Sequence, residues 1–253
     1  SLDSPEKKLL LNVLSNVVYA SPGYLIFNRE GTLMAQAFDA ERLELTGEEV
    51  PIAEEMDFNS VNGRAAFSTS ETGVLAYRTA SGVGSTQLVW FDRSGKRIGM
   101  LGDTAAYYNL VFSPDGKRVA VSLTERNNRD IWIYDVARSL RTRFTFDPAN
   151  EETMNWSPDG SRIIFNSNRK GLLNLYQKAS DGSGTEELLY EDALVNKYPM
   201  NWSADGKFML YATGTASPRT GADVLVLPLS GDRKPVPFIQ APFQEFYGQF
   251  SPD

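Results

Sequence analysis

The stretch Phe112-Ser113-Pro114-Asp115-Gly116-Lys117 decides the fold. Proline presets φ for the second position of a type I turn, and aspartate suits the third. Glycine then takes the left-handed conformation that closes a short hairpin with a bulge. The phrase therefore joins two antiparallel strands, and the aromatic residue before it ends the first of them. The residues that follow, Arg118-Val119-Ala120-Val121-Ser122-Leu123, read as the second strand.

Outward from this point the phrase recurs. Trp156-Ser157-Pro158-Asp159-Gly160-Ser161 and Trp202-Ser203-Ala204-Asp205-Gly206-Lys207 follow it. Phe67-Ser68-Thr69-Ser70-Glu71-Thr72-Gly73 is a loose earlier copy, Tyr19-Ala20-Ser21-Pro22-Gly23-Tyr24 a degenerate one, and Phe250-Ser251-Pro252-Asp253 begins another. From Phe67 onward the starts lie 45, 44, 46 and 48 residues apart. After each turn comes one apolar run, about ten residues later a second such as Asp130-Ile131-Trp132-Ile133-Tyr134, then a short last strand such as Thr142-Arg143-Phe144-Thr145-Phe146. These runs lack strict alternation, so both faces are expected to be buried. Four short antiparallel strands in roughly 45 residues make one blade of a β-propeller, whereas a one-sided sandwich would alternate. The fold class expected is all-β, a propeller of four-stranded antiparallel blades.

Five complete units are expected, at about residues 16–54, 63–102, 107–147, 153–191 and 199–240. Residues 7–13 read as the last strand of a preceding unit and 246–250 as the first of a following one. The two would together partly fill a sixth position, in a chain that forms part of a longer one.

Composition narrows the function. The 253 residues contain neither cysteine nor histidine. This excludes disulfides, thiolate zinc sites, histidine metal sites and every triad or dyad built on an imidazole. A net charge of −7 argues against a nucleic-acid partner. The most apolar stretch, Leu9 to Phe27, is interrupted by Asn12, Ser15, Asn16, Pro22 and Gly23, so no membrane insertion is expected. The glycine-rich runs Gly82-Val83-Gly84-Ser85 and Gly182-Ser183-Gly184 fit no phosphate-loop spacing, and no calcium-loop pattern occurs. No cofactor and no metal are expected.

The Trp/Phe-Ser-Pro-Asp-Gly phrase at this period resembles the WD-like repeats of TolB-type bacterial propellers, most closely over Phe112 to Val136 and Trp156 to Lys178. The run Gly31-Thr32-Leu33-Met34-Ala35-Gln36-Ala37-Phe38-Asp39 resembles segments of propeller regions fused to bacterial signalling proteins. The resemblance implies a noncatalytic binding or sensing module with a protein or peptide partner. By analogy with the family's namesake alone, it implies a periplasmic or other extracytoplasmic place.

In an up-and-down blade the Ser-Pro-Asp-Gly turns share one rim. The longer second-to-third loops and the links between blades share the other, which is where a ligand is expected. The links are acidic and aromatic: Asp103, Tyr107 and Tyr108; Asp147, Glu151 and Glu152; Glu191 and Tyr198; Glu245 and Tyr247. The loops are basic, with Arg126, Arg129, Arg169 and Arg219. An acidic inner zone ringed by basic loops would suit a basic peptide or a partner's tail. Phe112, Trp156, Trp202 and Phe250, equally spaced, read as packing wedges rather than a sugar platform. Two enzymatic alternatives remain. One is the gating propeller of a prolyl-oligopeptidase-like hydrolase, although no Gly-x-Ser-x-Gly elbow is present. The other is a glycan-processing propeller with two carboxylates facing one another, for which adjacent pairs such as Glu151–Glu152 point opposite ways on a strand.

Overall fold

A computed structural model describes residues 9–59, 64–70, 74–78, 86–92, 95–214, 221–241 and 245–251. The turn copy at Glu71 to Gly73, the glycine-rich run Gly82 to Ser85, Arg219, Lys7, Lys8, Pro252 and Asp253 lie outside them. Strands account for all the regular structure described.

Blade 1 is β1 (Val17–Ala20), β2 (Tyr24–Arg29), β3 (Thr32–Asp39) and β4 (Glu44–Ala53), paired antiparallel in chain order. A two-stranded ribbon, β5 (Phe58–Asn59) and β6 (Arg64–Ala65), leads into blade 2. Blade 2 has β7 (Phe67–Thr69), β8 (Leu75–Tyr77), β9 (Thr86–Phe91) and the first part of β10 (Arg97–Phe112). The remainder of β10, with β11 (Arg118–Glu125), β12 (Asn128–Asp135) and β13 (Leu140–Arg143), forms blade 3. Blade 4 is β14 (Glu151–Trp156), β15 (Arg162–Lys170), β16 (Leu172–Ala179) and β17 (Glu187–Tyr190). Blade 5 is β18 (Lys197–Trp202), β19 (Phe208–Thr213), β20 (Val224–Pro228) and β21 (Val236–Ile239).

Two features depart from the sequence expectation. The link expected between residues 102 and 107 is continuous strand. Gly102, at φ 66°, bends β10 without ending it, and its sixteen residues pass from the outer edge of one blade to the inner edge of the next. The expected orphan strands are absent among the described residues: neither 9–13 nor 246–250 joins a ladder. The second of these instead lies across the inner end of the ring. The Glu245 amide donates to the Ala222 carbonyl at 2.8 Å, and the Phe250 amide to Asn201 Oδ1 at 2.9 Å. A Cβ on Gly248 would meet Met200, Val224 and Leu210 at 3.3–3.5 Å, so the segment packs directly on blade 5.

The turns are built as the phrase dictates, with one element that turn propensity does not supply. In each clean copy the serine hydroxyl donates to the aspartate carboxylate two residues on, at 2.6, 2.5 and 2.7 Å for Ser113, Ser157 and Ser203. The same oxygen accepts the amide five residues on, at 2.9 Å each time, from Arg118, Arg162 and Phe208. The glycines that close the turns have φ of 67°, 69° and 74°. Serine thus fastens the turn to the strand it launches.

Strand alternation explains the two-sided apolar pattern. On β11, Val119, Val121 and Leu123 pack with Ala76 and Leu88 of blade 2, while Ala120 packs with Ile163 and Phe165 of blade 4. On β15, Ile164 turns the other way to Met209 and Tyr211 of blade 5. Ile26 and Leu33 of blade 1 meet Phe67 and Tyr77 of blade 2. Each core is an interface between consecutive blades, so removing a blade would strip one face from each of its neighbours. Phe112 and Trp156 are buried there, the wedge role their spacing implied. Trp156 Nε1 also donates to the Val111 carbonyl of blade 3 at 3.1 Å.

The Ser157→Ala variant should lose both serine bonds of its turn and unfold more easily in urea by about 1 kcal/mol at neutral pH. The Ser157 hydroxyl, with the Ser161 amide and hydroxyl, holds the Asp159 carboxyl down at about 2. Its stabilising contribution is complete above about pH 4 and is lost as pH falls through about 2. The difference between wild type and variant should therefore shrink on acidification, and a constant difference down to pH 2 would refute the clamp.

Candidate functional site

The inner strands of all five blades and the 245–250 segment enclose a central channel of about 650 Å3. Side chains that bond to a neighbour's backbone stitch its wall. Asn16 Oδ1 of blade 1 accepts the Ala65 amide at 2.8 Å. The Arg78 guanidinium donates to the Tyr107 carbonyl, joining blades 2 and 3. Asn109 donates to the Glu152 carbonyl at 2.7 Å and Asn155 to the Pro199 carbonyl at 3.2 Å. Asn201 holds Phe250, and Gln249 donates to the Val17 carbonyl of blade 1 at 3.1 Å, completing the circle.

Of the residues singled out from the sequence, Tyr108, Glu152, Tyr198 and Tyr247 line the channel. Arg129 stands behind Glu152 at 2.9 Å and stacks on the Tyr108 ring, 3.9 Å from its centroid. Tyr107 points the other way. It is buried between blades 2 and 3, its hydroxyl 2.8 Å from that of Tyr134, and burial pushes that phenol well above its ordinary range. A bulge between Tyr107 and Asn109 sets this choice, and Tyr108 lines the channel in its place. Asp103 is exposed on β10, and Arg126 is exposed at the tip of the β11–β12 hairpin. Glu191 pairs with Lys170 at 2.7 Å on the outside. Glu245 is fixed through its backbone to Ala222.

The expected acidic zone inside a basic ring is a set of ion pairs. Asp57 pairs with Arg78 and Glu152 with Arg129. Three carboxylates converge on Arg169: Glu186 at 2.6 Å, Glu151 at 3.2 Å and Asp147 at 3.6 Å, with the guanidinium over the Tyr176 ring. Among the described residues, Asp57, Asp147, Glu151 and Glu152 of the links are thus taken up by arginines of the same rim. Among the described residues, no group of three or more histidine, cysteine or acidic side chains is placed to hold a metal ion.

Arg64 was not singled out from the sequence, yet it lines the channel near Tyr108 and Tyr247. Burial lowers its guanidinium pKa, partly opposed by those two phenols. Burial raises the Tyr198 phenol, and pushes that of Tyr247 up to about 12. Both therefore keep their protons at neutral pH and can donate hydrogen bonds. Tyr247 adopts a φ of 62°, a left-handed conformation that costs a bulky residue free energy. The deeper wall is apolar, with Val18, Phe67, Leu110, Met154 and Met200.

A ring of antiparallel sheets around a tyrosine-lined channel defines a β-propeller. The family model of the TolB beta propeller domain matches residues 84–231, more than half of the chain. The chain belongs to the TolB β-propeller family. It is 25% identical over 165 residues to an uncharacterized protein of Agrobacterium fabrum, covering 65% of this chain and 54% of that one. It is 33% identical over 135 residues to the Tol-Pal system protein TolB of Anaeromyxobacter dehalogenans, covering 50% of this chain and 30% of that one. The chain thus spans about half of the first relative and under a third of the second. In three dimensions it resembles a protein assigned as TolB in Agrobacterium tumefaciens, with a TM-score of 0.72 at 21% identity, over 89% of this chain and 80% of that one.

Glu151 supplies a pH test of the ion-pair rim. It is fully buried, and burial raises its carboxyl to about 7 against the pull of Ser167 and Arg169. A carboxyl that keeps its proton longer when folded than when unfolded makes stability fall as pH rises, here from about 4.5 to about 7. Urea unfolding across this range should show that decline in the wild type and a flatter profile in Glu151→Gln. Parallel profiles would mean that Glu151 is ionised in the folded protein throughout.

Proposed function

We propose that this chain is a noncatalytic recognition domain whose ligand, a protein or peptide segment, seats at the mouth of the central channel. The observation that carries this reading is the convergence there of Tyr108, Tyr198 and Tyr247, from three different parts of the ring, around Arg64. Tyrosine presents a large, rigid surface with a polar tip at low entropic cost, which suits recognition.

The chemistry of the rim supports it. The whole chain has no imidazole or thiol to serve as base or nucleophile. A carboxylate mechanism needs two carboxyls facing one substrate. Glu152 is the one acidic side chain that lines the channel among the described residues, and it is held by Arg129. Its neighbour Glu151 is turned inward to Ser167 and Arg169. The Anaeromyxobacter relative is named a protein of the Tol-Pal system, an analogy that supports a partner-binding role.

The test is site-specific photo-cross-linking in cells that make the whole protein. Benzoylphenylalanine in place of Tyr198 should give a discrete adduct. The same residue in place of Leu140, exposed on the outer edge strand β13, should give none. Adducts at Leu140 with none at Tyr198 would move the binding surface to the outside of the ring and overturn the proposal.

A further inference from the structure

Between blades 4 and 5 the lip of the channel is the link 191–196, which runs from β17 to β18. It carries Leu194, whose side chain is 85% exposed and lines the channel with Val195 and with Leu172, the first residue of β16. A single exposed leucine is ordinary, and a loose loop carries one without consequence. This loop is instead tied at every second residue. The Leu194 amide donates to Asp192 Oδ1 at 2.7 Å, and the Asp192 amide to Asn174 Oδ1 at 3.2 Å. Asn196 accepts the Leu173 amide through its side chain at 2.9 Å and the Gly214 amide through its carbonyl at 2.7 Å. A Cβ on Gly214 would meet that of Asn196 at 3.2 Å, so blade 5 backs the loop closely.

At the base of the loop stands Lys197, fully buried. Its ammonium donates to the Asp192 carbonyl and, at 2.8 Å, to Asn174 Oδ1. A buried ammonium is costly unless hydrogen bonds replace its water, and here the bonds that do so close the loop that presents Leu194. A second observation points to a ligand in the same cavity. Thr153 lines the channel and is more than nine-tenths buried, and its hydroxyl has no partner among the described residues. Buried hydroxyls ordinarily have one. An extended peptide brings a main-chain donor and acceptor at each residue to such a group, while its side chains project to the walls. An aliphatic side chain laid on Leu172, Leu194 and Val195 leaves water favourably, whereas a charged one loses hydration against carbon.

We infer that the lip formed by Leu172, Leu194 and Val195 selects an uncharged aliphatic side chain on the peptide segment bound in the channel, with Leu194 as the specificity-determining residue and Lys197 as the residue that positions it. This rests on the recognition reading above and specifies its ligand.

The experiment uses the whole chain with 13C-labelled leucine and valine methyls and tyrosine rings, the signals of Leu194, Val195 and Tyr198 being assigned through single substitutions. Four capped peptides are titrated: N-acetyl-Gly-X-Gly-amide with X as leucine, glycine, lysine or aspartate. The leucine probe should shift the Leu194 and Val195 methyls and the Tyr198 ring, and bind about tenfold tighter than the glycine probe. Leu194→Ser should bring the two within about twofold with an unchanged unfolding midpoint, and Leu194→Met should keep most of the preference. Lys197→Met should lower the order parameter of the Leu194 methyls and reduce the preference together. The two Leu194 variants carry the test if the Lys197 variant does not fold. Equal binding of the leucine and glycine probes, with the Tyr198 ring shifting, would overturn the lip while leaving the channel as the site. Tighter binding of the lysine or aspartate probe would overturn it in favour of charge recognition. A preference that survives Leu194→Ser would remove Leu194 from the role, and one that survives Lys197→Met in a folded protein would remove Lys197. Failure of the leucine probe to shift these signals at millimolar concentration would overturn the lip assignment, leaving the cross-linking result to decide on the channel.

Discussion

Every sheet in this protein must be covered on both faces, and that constraint organises the rest. A strand such as β11 sends Val119, Val121 and Leu123 to one neighbour and Ala120 to the other. No blade holds a core of its own, because its apolar residues become buried only when the next blade arrives. The repeat is therefore a unit of assembly rather than a unit of stability, as in other stacked repeat proteins. The same need accounts for the 245–250 segment. The outer face of blade 5 carries Leu210 and Val224, and Gly248 lets the chain lie directly against them.

Packing sets the blades side by side, and polar side chains fix them around the axis. Asn16, Arg78, Asn109, Asn155, Asn201 and Gln249 each join one inner segment to the next through a backbone group. Inner strands have no ladder partner on the channel side, so their backbone groups need other bonds. Asparagine supplies them at short reach, with a donor and an acceptor on one planar group. A rigid inner ring is what allows tyrosines from distant parts of the chain to be held at one mouth. On the opposite rim the Ser-Pro-Asp-Gly turns are held by their own serines. Arg118 spans from blade 3 to the Gly160 and Ser180 carbonyls of blade 4.

Charge at the long-loop rim cannot be read by counting residues. The links supply carboxylates and the loops supply arginines, as composition indicates, but the fold places the two within bonding distance. Arg169 alone takes up Asp147, Glu151 and Glu186. The channel wall also includes Arg64, one residue on a two-stranded ribbon that carries no motif, near Tyr108 and Tyr247. The sequence carried a signal for Tyr108, Tyr198 and Tyr247, as aromatic residues within the links. It carried none for Arg64, since a single arginine between repeats looks like any surface arginine.

The sequence by itself determined the class of structure, the period and the turns, because proline, aspartate and glycine act through local backbone geometry. Two-sided burial was legible too, since it depends only on apolar residues in succession along a strand. The tertiary structure decided which neighbours meet. Tyr107 and Tyr108 are equivalent in composition and adjacent in sequence, yet a bulge at that point sends the first into the core and the second into the channel. The 246–250 stretch has the residues of a strand, but strand pairing requires a partner at the right distance. In its place the chain found the face of blade 5, the side-chain oxygen of Asn201 and the Val17 carbonyl. Contacts of this kind join residues as far apart as Val17 and Gln249. Such pairings exist only once the ring has closed, and no local pattern encodes them.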